Sequence, residues 1–177
     1  MSSLYVSPLS RLHETVAATD ASHMVTLMNV GSPVERPATI LAERHLFIGI
    51  SDIVEPLEGH ILPEAHHIEQ LLTFVRAWDR QRPLVFHCFA GISRSTAAAY
   101  ISACALGPDQ DEAAVAAALR RASASATPNP RLVALADDIL SRQGRMVDAI
   151  SRIGRGADAY EGTPFALPLT KGAMQAA

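Results

Sequence analysis

Apolar residues along this chain fall into two registers, short unbroken runs and helical spacings, and the two alternate. Leu4-Tyr5-Val6-Ser7, closed by Pro8, reads as a first strand. His23–Met28, with β-branched Val25 and Thr26, reads as a second, and His45–Ile50 as a third. Leu84-Val85-Phe86 is apolar throughout, the pattern of a buried strand. Arg11–Ala18 can form a short helix between the first two strands. Glu64–Trp78 places Ile68, Leu71, Leu72, Val75 and Trp78 at helical spacing, which predicts an amphipathic helix. Asn29–Pro37 carries Gly31, Pro33 and Pro37 and is a loop, and Glu55–Pro63 is irregular.

The second half is helical. An alanine-rich helix is predicted from Arg94 to Leu106, stopped by Gly107-Pro108. Asp109–Ser123 follows with Asp109 as its N-cap. Asn129 and Pro130 supply the cap and first position of a helix running to about Arg142. Gly144 interrupts, and Met146–Ile153 forms a further helix. Beyond Gly154-Arg155-Gly156 the periodicity is lost, so one domain is expected over 1–155, with 156–177 as a tail loosely packed or extended. Strands mixed with helices in this order predict an α/β fold, a short central sheet flanked by helices on both faces.

Composition narrows the classes of function. A chain of 177 residues with 49% apolar content and mean hydropathy +0.15 folds as a globular domain, which excludes general disorder. Net charge −3 and a pI near 6.1 give no global basic field, so no nucleic-acid partner is expected and any positive potential is local. Cys88 and Cys104 stand at opposite ends of one predicted helix, too far apart to bridge, and a free thiol reads as a reducing compartment. The segment MSSLYVSPLSRLHE lacks the apolar core of a signal peptide, and no stretch approaches the ~18 apolar residues of a membrane span. The expected location is cytoplasmic, with no membrane contact. One lysine, Lys171, against fourteen arginines reads as genomic codon bias of a bacterial kind, not as function.

The chemistry gathers where the apolar run Leu84–Phe86 ends. His87-Cys88-Phe89-Ala90-Gly91-Ile92-Ser93 is a polar, glycine-bearing turn leading into the helix at Arg94. A strand, a tight loop and a helix N-terminus make an anion site from successive backbone N–H groups and the helix dipole. Cys88 sits at its mouth, where a thiolate is stabilised. Arg94 offers a planar fork that matches two oxygens of a phosphoryl group. Ser95 can place a hydroxyl near the sulfur, and Ser93 another near the loop backbone. A thiolate inside a phosphate cradle implies attack on phosphorus and a covalent phospho-cysteine.

The string His87-Cys88-x-x-Gly91-x-Ser93-Arg94-Ser95 resembles the signature loop of the cysteine-dependent protein tyrosine phosphatases, and its Ala90–Ser95 half looks most like the small dual-specificity branch. The likeness covers roughly Leu4 to Leu140, with only the loop specific. It implies the phosphatase-type three-layer sandwich, Cys88 as nucleophile, and phosphoryl binding by Arg94 and the backbone of Phe89, Ala90, Gly91, Ile92, Ser93 and Arg94. It also implies a proton-donating Asp on a mobile loop after an earlier strand. Asp52 fits that place, with Glu55 and Glu58 as competitors on the same loop and Asp20 worse placed in an early turn. Ser95 would ease departure of the sulfur, and His87 would support loop and thiolate by hydrogen bonding. Many members carry a Gln after the Pro-Asn turn to position water; Pro128–Leu135 has none, so Asp52 would also activate the water.

The resulting expectation is a phosphomonoester hydrolase for phosphotyrosine and, in dual-specificity fashion, phosphoserine or phosphothreonine, using no metal and no cofactor. Its partner is a phosphorylated protein or a small phosphate ester. Uncharged Phe89, Ala90 and Ile92 disfavour a polyphosphorylated ring as substrate. The alternatives are the same chemistry on a nucleotide, RNA end or inositol phosphate, a phosphate-binding scaffold with little turnover, and a sulfur-transfer enzyme, which would not need Arg94. His60, Glu64, His66 and His67 match no zinc spacing and read as a solvated helix start. Cys104 reads as a core residue, and Arg36, Arg44 and Arg131 as fringe candidates for the pocket.

Overall fold

In the computed structural model, which describes residues 3–169, one mixed sheet carries the molecule. Its strands are β1 (Ser3–Pro8), β2 (His23–Met28), β3 (His45–Gly49), β4 (Leu84–Cys88) and β5 (Phe165–Pro168), in the order β3-β2-β4-β1-β5. The first four run parallel, and β5 lies antiparallel along β1, pairing Leu4 with Leu167 and Val6 with Phe165. β2 and β4, inside the sheet, are buried at every residue. That explains why their sequences show runs and not alternation.

Helix α1 (Leu12–Thr19) covers one face, where Leu12, Val16, Met24, Ile40 and Val85 form a small core. The other face carries α2 (Ala65–Ala77), α3 (Arg94–Leu106), α4 (Glu112–Ala122), α5 (Pro130–Ile139) and α6 (Arg145–Ile153) over the larger core. The expected α/β sheet with helices on both faces is the observed architecture. α3 lies deepest, with Ala97, Ala98, Ala99 and Ala103 at most 1% exposed. Small side chains let this helix approach the sheet closely, which brings its N-terminus to the end of β4. Among the described residues no helix is long and apolar enough to cross a membrane.

Two expectations change. The cap of α4 is Asp111, whose side chain accepts from the Ala113 N–H, and not Asp109; Gly107 and Pro108 still hold the chain out of helical geometry there. The larger correction concerns the tail expected from 156. It is extended over 165–168, but as a strand of the sheet, with Phe165 and Leu167 buried. Before that strand, Ala157 N–H donates to Ala124 O, and Gly162 N–H to Ala90 O at 2.7 Å. The domain therefore continues to 168, because β1 would otherwise present an open edge. The last part of the expected tail, 170–177, lies outside the described residues.

Candidate active site

The turn after β4 is held from outside by its carbonyls. Phe89 O accepts from Leu9 N–H at 3.0 Å, Ala90 O from Gly162, and Ile92 O from Thr127 at 2.9 Å. Ser93 O accepts from Ala97 at 3.0 Å and Asn129 at 3.2 Å. In a trans peptide the N–H points opposite to the carbonyl. The N–H groups of Ala90, Gly91, Ser93 and Arg94 thus turn away from these anchors, toward the inner side of the loop. Gly91 makes the curl possible: its φ is +68°, and a Cβ there would stand 2.7 Å from Pro8 N. Gly162 is packed just as closely, its missing Cβ falling 2.9 Å from Gly91 O.

Cys88 ends β4 with 3% exposure, and its Sγ lies 3.1 Å from Ser95 Oγ in the first turn of α3. Arg94 is tied down by one terminal nitrogen, which donates to Asn29 Oδ1 and to Ile50 O, both at 2.8 Å. Its Nε is buried without a partner among the protein atoms, a donor left over for a ligand oxygen. Sequence reasoning missed Asn29; its one signal was a short polar residue directly after β2.

Asp52 comes to the rim of the same loop. Its Oδ1 accepts from Ser93 Oγ at 2.7 Å and from Asn129 Nδ2 at 2.9 Å, which leaves Oδ2 outside both bonds. Asn129 was legible only as a helix cap, which it is: its Oδ1 accepts from the N–H of Arg131 and Leu132. One amide thus caps α5 with its oxygen and holds Asp52 with its nitrogen. Arg131 donates to Pro63 O at 2.6 Å and Val54 O at 3.4 Å, bracing the loop that carries Asp52. Glu55 and Glu58 are exposed on that loop; Glu55 lines the adjoining cavity, and neither is bonded to the turn. Asp20 pairs with Arg82, and Arg36 donates to Ile40 O. Glu64 and His67 form the capping box of α2, and Cys104 is a buried free thiol that burial pushes up to about 12.

His87 is set back from the sulfur. Neighbouring strand residues face opposite sides, so its side chain leaves the sulfur and lies against α1's face of the sheet. There Thr26 Oγ1 stands 2.7 Å from His87 Nε2 and 2.8 Å from His45 Nε2. One hydroxyl has one proton to give, so at least one of the two rings donates its Nε2–H to it. Its link to Cys88 runs from the His87 ring through the Cys88 backbone.

Burial pushes the His87 pKa down to about 4, the Cys88 backbone partly opposing it. His23, His45 and His67 are lowered as well, chiefly by burial. Unfolding lets His87 take up a proton below its ordinary 6.5 that the folded state refuses until about 4. Stability is therefore fully present above 6.5, falls with pH through that window, and loses about 2 kcal/mol by pH 5 from His87 alone. Urea midpoints at pH 7.5 and 5.0 should show the drop, and His87→Gln should shrink it. An equal drop in both proteins would assign the effect elsewhere.

No family model matches the chain. No curated protein matches it in sequence. Its fold, however, is the fold of the small dual-specificity phosphatases. The crystal structure of DUSP15 superposes with TM-score 0.60 at 17% identity, covering 85% of this chain and 96% of that one. Human DUSP28 gives TM-score 0.60 at 15% identity over 79% and 92%, and the Cydia pomonella PTP-2 phosphatase 0.60 at 18% over 76% and 84%.

Proposed function

We propose that the protein is a phosphomonoester hydrolase of the cysteine-dependent protein tyrosine phosphatase kind, with dual-specificity reach, working through a phospho-cysteine. The observation that carries this reading is the loop itself. A thiol stands at the base of a turn whose Phe89, Ala90, Ile92 and Ser93 carbonyls are pulled outward, beside a buried guanidinium whose Nε is unspent. In the proposed reaction the inward N–H groups and Arg94 bind the phosphoryl oxygens of the dianion. The Cys88 thiolate attacks phosphorus as the ester P–O bond breaks. Asp52 gives its proton to the departing oxygen, and the alcohol or phenol leaves.

In the second half-reaction Asp52, now a carboxylate, takes a proton from water as that water attacks phosphorus. The P–S bond breaks, Ser95 donates to the sulfur, and orthophosphate is released. Every group is a side chain or a backbone N–H, so the chemistry calls on no metal and no organic cofactor. The test is turnover of an aryl phosphate in the presence of EDTA, with an acid-quenched intermediate examined by mass spectrometry. Phosphate found on Cys88 supports the reading; EDTA-sensitive activity, or phosphate on another residue, overturns it.

The acid has its own signature. Asp52→Ala should slow hydrolysis about 10²- to 10⁴-fold for tyrosine phosphate, whose leaving group needs a proton. The loss should be far smaller for a fluorinated phenol whose anion leaves unaided. KM should not rise, since Asp52 holds no phosphoryl oxygen. If Glu55→Ala or Glu58→Ala shows this dependence and Asp52→Ala does not, the acid is the later carboxylate.

A further inference from the structure

The phosphate cradle opens beside a groove, and this inference, which rests on the proposed hydrolase reading, concerns what lies in it. The groove encloses about 510 Å³, within the range of pockets that hold a drug-sized group and larger than one phosphoryl requires. One wall is the loop after β3, with Ile53, Val54, Pro56 and Leu57; the other is Thr127 and Pro130 ahead of α5. Its inner end is formed by Asp52, Ser93 and Asn129, the same side chains that join the loop to the rim of the cradle. A leaving-group oxygen protonated by Asp52 must lie at this end. Whatever is attached to that oxygen therefore continues into the groove.

Two properties of the lining select the occupant. It is apolar and accessible, with Leu57 55% and Val54 42% exposed, and Phe89 on the cradle itself 53% exposed. Its charges are all of one sign: Asp52 and Glu55 line it, Glu58 follows on the same loop, and no lysine or arginine is among the lining residues. The neighbouring cations are held elsewhere: Arg131 donates to Pro63 O and Val54 O behind the loop, and Arg155 pairs with Asp158. A second phosphate on the substrate would meet these carboxylates, whereas a cationic side chain would complement them.

We propose that this groove binds the polypeptide flanking the phosphorylated residue and selects an apolar side chain accompanied by a basic one. The substrate is then a phosphoprotein segment of apolar and basic character. A nucleotide or a polyphosphorylated ring is disfavoured by the same charges.

Four phosphotyrosine peptides of equal length test this, carrying Leu-Arg, Leu-Glu, Ser-Arg or Ser-Glu beside the phosphorylated residue. Wild-type kcat/KM is measured for each, together with Kd for the Cys88→Ser protein, and a small aryl phosphate without flanks is the reference. Leu over Ser should gain ~10-fold, as for an apolar pocket that discriminates side-chain size. Arg over Glu should gain a further few-fold, the scale of an exposed ion pair, and this part should fade with added salt. Both are read as ratios within one protein, so a change in basal rate does not disturb them. Glu55→Lys should reverse the Arg-to-Glu ratio, and Leu57→Ser should erase the Leu-to-Ser ratio.

A flat ranking with brisk turnover of the aryl phosphate overturns the groove assignment and leaves the hydrolase reading in place. The expected ranking in Kd without any turnover does the reverse. Ratios unchanged in both variants, or a nucleotide or inositol phosphate processed faster than all four peptides, would also overturn the assignment.

Discussion

Cys88→Ser should lose at least ~10⁴-fold in kcat toward any phosphate ester, the scale seen when a covalent nucleophile is removed. The reason lies in the atom, not the fold. Serine fills nearly the same space at a position 3% exposed, and its hydroxyl can still meet Ser95, so the loop keeps its shape. What is lost is a sulfur, a far better nucleophile toward phosphorus and leaving group from it than a hydroxyl oxygen. Binding of vanadate or tungstate, measured by calorimetry, should therefore survive while turnover vanishes. Activity in Cys88→Ser above a trace would show that another group attacks phosphorus. Lost oxyanion binding with intact circular dichroism would show that the thiolate and not the backbone holds the cradle together.

Arg94→Lys should be the second most damaging change, with kcat/KM down about 10²- to 10³-fold despite the retained charge. In the proposed reaction Arg94 spans two tasks at once. One terminal nitrogen grips Asn29 and the carbonyl of Ile50, while the rest of the fork stays available to the substrate. A lysine ammonium has one nitrogen, which can meet the anchors or the phosphoryl oxygens but not both in a plane. The loss should fall on kcat and on KM together, because the fork meets the phosphoryl group before and during the reaction. Asn29→Ala removes one anchor and leaves the fork, so it should cost far less, about tenfold. Equal kinetics in Arg94→Lys and wild type would mean that the fork is not used. Since the side chain is 8% exposed, a thermal melt must accompany the kinetics.

The strand, turn and helix around Cys88 were legible because each is local. An apolar run, a glycine at positive φ and an alanine-rich stretch are written in consecutive residues. The same holds for Asn129-Pro130, whose cap geometry needs no distant partner. Asp52 was located by its place after β3, yet its hold on Ser93 and Asn129 depends on how that loop folds back across the sheet. That His87 faces away from Cys88 follows from strand alternation alone, but its partner Thr26 was not legible, because the registry of β2 against β4 supplies it. β5 was invisible for another reason. Phe165–Pro168 is four residues with a proline at its end and another just before it, too short and too interrupted for any periodicity. The open edge of β1 and the core that buries Phe165 and Leu167 recruit it.

That late strand and the bond from Gly162 to Ala90 have a consequence in time. A ribosome delivers Cys88 and Arg94 well before it delivers Gly162. Until then one carbonyl of the cradle lacks its outer anchor and β1 has no partner on one side. The nascent chain therefore carries Cys88 out of the tunnel before Gly162 is there to fasten the turn around it.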